Sequence, residues 1–281
     1  MNETVRSVNV RTLAEVYFEG GDLGADGGID RMQEGLKGHL LLQKAYPAGY
    51  RSEVPVRIER EVSGIPLIVY DPSAVEIDIK GFNDLWDPSL EDSLGLIDDA
   101  RVTIGMVLLS MHQSMNTTDD AVLAEAAEKL DALRGNIHVL EYENLHNYLV
   151  SGDISVAYTF TPFVALALDA NPDLKVVWPE EGLGFGIDGC FIPVNAPHAK
   201  NANLFLQYLL RPEVAATCVE YQYYCSPNEA AKACLSESYL NNPVFNGIYD
   251  RIDDAEYVRN LSSEDEQKYQ DIWTTFKLSM Q

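Results

Sequence analysis

Several common signatures are missing from this sequence. No stretch of the 281 residues stays apolar for the roughly 18 positions a membrane-spanning helix needs. The opening, MNETVRSVNVRT, has no apolar centre of the kind found in a secretory leader; taken alone, that points to a cytoplasmic protein or to a mature or truncated chain. Basic residues are scarce, with 20 Lys and Arg against 44 Asp and Glu and a formal charge of −24. A surface of that sign repels phosphate backbones, which excludes nucleic acid as a partner. It favours solubility and draws cations toward the protein.

Chemical motifs are equally sparse. There is no GxSxG elbow, P-loop or HExxH. The four cysteines, Cys190, Cys218, Cys225 and Cys234, form no CxxC. Three of them fall within 17 residues, a spacing that allows one disulfide in an oxidising compartment, although buried free thiols are the commoner state. Among the five histidines, His138 and His146, with Glu141 and Glu143 between them, come nearest to a metal cluster. Their spacing suits no standard site, and they read as a solvated face. No metal and no cofactor is expected. Without internal repeats or a low-complexity linker, no bead-on-string domain boundary is expected either.

What is present is an alternation of apolar runs. Val54–Tyr70 reads as a strand pair or one long crossing strand, and Phe82–Pro88 as a short helical turn closed before proline. Leu94–Ile97 is strand-like and leads through Asp98-Asp99 into a helix over Ala100–Met115. A second helix, Thr117–Leu133, is capped by Thr118 or Asp119 and stopped by Gly135. Strand Ile137–Leu140, helix Leu145–Val150, strand Ile154–Phe160, helix Phe163–Leu168 and strand Leu174–Trp178 follow. Further helices are expected over Ala199–Leu210, Pro212–Tyr221 and Ser262–Met280, the last capped by Ser262 or Ser263 with Tyr269, Ile272, Trp273 and Phe276 on one face. This density of strand–helix–strand units means an α/β architecture with a largely parallel sheet. Residues 1–50 give no clear pattern.

The stretch LKVVWPEEGLGFGIDGCFIP, Leu174–Pro193, carries the densest information. Pro179 ends its first strand, and two carboxylates and a run of glycines lead to a second apolar run, Cys190–Pro193, with Asp188 at its mouth. Gly184–Gly189 matches GxGxxG, but that pattern binds a dinucleotide only where a helix N-terminus follows. Here a strand-like run closed by proline follows, which leaves a plain glycine-rich connection or a ligand-binding crossing. Asp98-Asp99 offers a similar choice. One Asp at a helix N-cap is explained by capping alone. A pair at a strand's carboxyl end also lies where open α/β sheets bind ligands.

Several short motifs occur together and in order: Asp84-Leu85-Trp86, Asp98-Asp99-Ala100-Arg101, the region Leu149–Phe163, Val177-Trp178-Pro179-Glu180-Glu181-Gly182 with Asp188, the run Leu209–Ala215, and Ser226-Pro227-Asn228. In this combination the chain resembles the spermidine/putrescine-binding proteins, the extracytoplasmic receptors of polyamine ABC importers. The likeness is good over roughly residues 58–240 and loose over the C-terminal helix. It implies a type II periplasmic-binding-protein fold with two lobes and a ligand cleft. Residues 1–72 and 183–281 would form a first lobe, incomplete on its N-terminal side, and 73–182 the second.

The resemblance also implies a function. A small cationic ligand, putrescine or spermidine, would be captured between the lobes and passed to an ABC transporter permease, with no covalent chemistry. The protein would be a monomer in the periplasm or outside the membrane. Carried over by position, the amine-binding carboxylates fall on Asp99 and Asp188, and the aromatic contacts on Tyr158 and Tyr224. A protonated amine leaving water needs a carboxylate, and its methylenes and charge suit aromatic faces.

There are departures from the family pattern. The acidic residue after the Arg of the DDAR turn is Val102, which favours a ligand with fewer amines, such as putrescine. A family Trp is replaced by Gly186, with Phe185 beside it. The opening strand and helix of the first lobe are missing or unrecognisable. Another small metabolite, a non-transporting sensor, or an α/β enzyme without a recognisable motif are the alternatives.

Overall fold

The computed structural model describes residues 61–280, apart from 63, 189, 194, 227, 246–247, 249–250 and 252–254. The chain divides into two compact units, Met1–Val56 with Phe191–Leu206, and Arg57–Cys190 with Gln207–Gln281. In the first unit, the described residues turn at Pro193–Ala196 (N–H to carbonyl, 2.9 Å) and enter helix α5, Ala199–Leu209.

The second unit is built on a five-stranded sheet. Its strands are β2 (Pro66–Tyr70), β3 (Leu94–Leu96), β4 (Ile137–Leu140), β5 (Val156–Phe160) and β6 (Lys175–Val177), in the spatial order β4-β3-β5-β2-β6. All five residues of β2 are buried, as a strand covered on both faces requires, and its proline stands at the first position, where no ladder N–H is lost. β3 runs parallel to β4 and β5, whereas β2 is antiparallel to both β5 and β6. The sheet is therefore mixed, not largely parallel. β2 reaches the sheet from a separate segment (β1, Glu61–Val62) and not from a helical crossover, so its direction is not tied to that of β3.

Helices pack on this sheet. α1 (Ala100–Ser110) is buried on almost every side. It ends five residues before the expected Met115, because the chain turns through Met111 and a left-handed His112 (φ 55°) into polar loop. α2 (Asp120–Leu133) is capped by Asp119, whose carboxylate accepts the N–H groups of Ala121 and Val122 at 2.9 and 3.1 Å. α3 (Leu145–Ser151) stops at Gly152, whose φ of 82° suits a residue without a Cβ. α4 (Thr161–Ala170) starts with Pro162 in its first turn. After β6 come two very short strand pairings. β7 (Gly184–Phe185) lies parallel to β9 (Glu256–Tyr257), and β8 (Ile187–Asp188) antiparallel to β1. The glycine-rich crossing is thus itself extended. Cys190–Pro193, expected as the second strand, has no ladder partner among the described residues.

Helix α6 (Pro212–Gln222) and the short α7 (Glu237–Leu240) precede α8 (Ser263–Ser279), which is capped by Ser262 and packs on α1 and α2. Its inner face buries Tyr269, Trp273 and Phe276, the stripe expected from the sequence, with Ile272 half-buried beside it. All four cysteines are free: Cys190 and Cys234 exposed, Cys218 half-buried and Cys225 buried. Among the described residues no helix is long and apolar enough to cross a membrane.

Candidate functional site

Two of the expected site residues lie on neighbouring strand segments: Asp99 follows the carboxyl end of β3, and Tyr158 is the middle residue of β5, in register with Leu96 of β3. Beyond β3 the chain passes Ile97 and stays extended at Asp99 (φ −142°), which caps α1. Its Oδ1 accepts the N–H of Val102 at 2.9 Å, and its carbonyl accepts that of Thr103 at 3.0 Å. Among the described residues the second carboxylate oxygen, Oδ2, accepts no hydrogen bond. Asp99 is half-buried, so a carboxylate held firmly by its cap keeps one acceptor open.

Tyr158 stands on β5 between Ile68 of β2 and Leu96 of β3. It is 2% exposed. Phe82, at the start of the 3-10 turn Phe82–Trp86, meets its ring edge-on, with centroids 5.6 Å apart at 90°. Burial pushes the Tyr158 hydroxyl well above its ordinary pKa, and the negative charge of Asp99 adds to the shift.

The neighbouring Asp98 has a different task. Its Oδ1 accepts the indole N–H of Trp273 at 3.0 Å and the Lys277 ammonium at 2.9 Å. Asp98 thus anchors α8, while Asp99 caps α1. Arg101, one turn into α1, lies 4.4 Å over the ring of Tyr269 and bonds Asn116 at 3.1 Å. The DDAR turn is consequently bound to the C-terminal helix through two of its four residues.

The other two expected residues belong to other elements. Asp188 lies in β8, in register with Glu61 of β1. Tyr224 follows α6, which ends at Tyr223 in the left-handed region (φ 57°), and its carbonyl accepts the hydroxyl of Tyr239. Tyr239 and Tyr223 in turn stack on Phe245 at 4.4 and 6.4 Å.

The sequence reading missed the supports of Tyr158. Phe82 belongs to a turn that was recognised, and Glu181 to the motif of the crossing, but nothing local indicates that Glu181 holds the Phe82 turn 99 positions away. Among the described residues, His138 pairs with Asp92 at 3.0 Å, and His146 stacks on Phe163 at 5.5 Å. Among the described residues no group of three or more His, Cys, Asp or Glu could hold a metal ion.

Residues 63–252 match the model of the bacterial extracellular solute-binding protein family. The chain belongs to this family. Its relatives include the spermidine/putrescine-binding periplasmic protein of Salmonella typhimurium, 32% identical over 202 residues, covering 72% of this chain and 57% of that protein. The protein of the same name from Escherichia coli is 30% identical over 220 residues, covering 78% and 60%. The chain thus spans less than two thirds of these relatives' length. Among solved structures, the spermidine/putrescine ABC transporter substrate-binding protein of Streptococcus pneumoniae superposes with a TM-score of 0.69 at 27% identity, over 79% of this chain and 69% of that one. A Treponema pallidum lipoprotein at 18% identity shares the fold, with a TM-score of 0.68. The fold is the type II periplasmic-binding-protein fold.

Proposed function

We propose that this protein is the substrate-binding component of an ABC importer and captures a polyamine, putrescine or spermidine, between the two lobes of its fold. The observation that supports this reading is Asp99, which follows β3 and caps α1 through one carboxylate oxygen while, among the described residues, the other accepts no hydrogen bond. The half-buried Asp99 carboxylate lies three positions beyond Leu96, the residue in register with the aromatic Tyr158 of β5. That combination suits an ammonium group on a short methylene chain. Asp188 and Tyr224 are the proposed partners for the far end of the ligand. The proposed lobes are residues 73–182 on one side and 1–72 with 183–281 on the other.

The names of the relatives support the ligand class, and their periplasmic location supports a place outside the cytoplasmic membrane. Family membership supports binding and release rather than turnover. At the first turn of α1 the side chain next to Arg101 is Val102, half-buried against the core. An apolar group there offers nothing to an additional amine, which favours putrescine over spermidine. Capture would proceed by closure of the lobes on the ligand, followed by docking to the permease.

Titration calorimetry of the full chain with putrescine, spermidine and an uncharged diol tests the reading. Heat with the amines alone, larger for putrescine, is the expected result. Equal or absent heats for all three would retire the polyamine assignment and leave the fold.

A further inference from the structure

The turn after β6 is tied to the 3-10 turn Phe82–Trp86 by an unusually complete set of bonds. The N–H of Glu180 donates to the carbonyl of Lys80 at 3.2 Å. The Glu181 carboxylate then takes three donors: Oε2 accepts the N–H of Phe82, and Oε1 accepts both the N–H and the side-chain amide of Asn83, each at 2.9 Å. A carboxylate at the start of a helical turn satisfies N–H groups that have no partner within the turn, and its charge strengthens each bond. Glycine at position 81 makes room for it, since a Cβ there would stand 2.2 Å from Glu181 Oε2.

Lys129 closes the assembly from the other side. Its ammonium donates to Asn83 Oδ1 at 2.7 Å and lies 4.8 Å over the ring of Trp86. Burial lowers its pKa, with the charge of Glu181 pulling the other way. The next residue after Glu181 is Gly182 at φ 113°, a backbone region that leaves the turn little choice of sequence. What this assembly fixes in place is Phe82, 1% exposed, whose ring bears on Tyr158.

We propose that Glu181 is a positioning residue for the ligand site: by fixing Phe82, it sets the ring of Tyr158 beside Asp99. The proposal rests on the reading of Asp99 and Tyr158 as ligand contacts. An aromatic contact to a cation depends on where the ring lies, and a binding constellation holds its geometry only when the groups behind it are held in turn. Tyr158 has Leu96 and Ile68 of the sheet at its sides, and Phe82 is the aromatic group packed against its ring. Freeing the Phe82 backbone therefore frees the one ring contact that, among the described residues, comes to Tyr158 from outside the sheet.

The test uses full-length protein labelled with 3-fluorotyrosine, the Tyr158 resonance being assigned by its loss in Tyr158→Phe. Glu181→Gln keeps one acceptor oxygen and turns an amide toward a backbone N–H in either orientation, so the three-bond cap on Phe82 and Asn83 cannot be kept whole. The Tyr158 resonance should shift and broaden in the ligand-free variant, a change that a loss of general stability does not produce well below the melting temperature. Putrescine affinity at the same temperature should fall about tenfold, the loss expected for one charge-assisted bond. Should Glu181→Gln fail to fold, Asn83→Ala removes the side-chain bond alone and should move both readouts in the same direction by less. An unmoved Tyr158 resonance overturns the proposal, as does a moved resonance with putrescine affinity within twofold of the parent. If the parent protein gives no heat with any polyamine, the ligand assignment fails on its own, and the resonance still decides whether Glu181 positions Tyr158.

Discussion

The ammonium of Lys277 lies 2.9 Å from Oδ1 of Asp98, 179 positions earlier in the chain, and the same oxygen receives the indole N–H of Trp273. The ion pair is itself worth little, because both side chains are about a third or more open to water. The indole is different, since Trp273 is buried and its N–H has no solvent to turn to. Asp98→Ala should lower the free energy of unfolding by about 1–3 kcal/mol, and Lys277→Met by less than about 1 kcal/mol. Denaturant titration of both variants reads this directly. An unchanged midpoint in Asp98→Ala would refute the anchoring role.

The adjacent carboxylate should behave in the opposite way. Asparagine is as good an N-cap as aspartate, so Asp99→Asn should leave stability nearly intact. It removes the charge facing the proposed amine, and loss of one partner of a charged pair costs about 2–5 kcal/mol of binding. Asp188→Asn should act in the same direction. Calorimetry with putrescine beside thermal denaturation separates the two aspartates; a stable Asp99→Asn protein that binds as tightly as the parent would remove Asp99 from the site.

Gly95, in the middle of β3, has no room for a side chain. A Cβ would stand 2.6 Å from both Ile154 Cδ1 and Leu145 Cδ2, and both residues are fully buried, so neither can yield freely. Gly95→Ala should destabilise by about 1–3 kcal/mol through overpacking. A melting temperature equal to that of the parent would show that the β3 environment is looser than described.

The cysteines give a pH-dependent prediction. Burial pushes the Cys225 thiol up from 9.0 to about 12, partly opposed by its hydrogen bond with Tyr239. In the unfolded chain the thiol ionises near its ordinary value, so between these two pH values the unfolded state holds fewer protons than the native one. The stability tied to the buried neutral thiol is therefore complete below about pH 9 and lost as pH rises toward 12. Cys225→Ala should flatten that part of the stability profile. In native protein near neutrality, iodoacetamide should label Cys190 and Cys234 first and Cys225 only after denaturation, as peptide mass spectrometry would show. Rapid labelling of Cys225 would contradict its burial.

Local pattern made much of this fold legible. The stripe Tyr269, Trp273, Phe276 and the caps Asp119 and Ser262 follow from helical period and from side chains that satisfy N–H groups within three residues. Cys190–Pro193 misled, because an apolar run reads as a strand whether or not another strand offers a ladder, and here the extended pairs fall on Gly184–Phe185 and Ile187–Asp188 instead. The direction of β2 was also hidden, since a buried apolar run carries no sign of whether its neighbours run with it or against it. At the proposed site, Asp99 and Tyr158 are drawn from the family pattern. It was silent on how Asp98 and Glu181 are used, because their partners lie 175 and 99 positions away, and no local periodicity records contacts at that range.

The placement of α8 has a consequence for the order in which this chain is made. Ribosomes deliver residues at about 5–20 per second, and α1 and α2 leave the ribosome well before the helix that covers them. Until residue 279 has emerged, the surface that receives Trp273 and Phe276 stays wet, the DDAR turn lacks its anchor, and the Tyr269 hydroxyl cannot reach the carbonyls of Met115 and Thr117. Until α8 docks, therefore, the apolar surface of α1 and α2 that receives Tyr269, Trp273 and Phe276 stays uncovered by it.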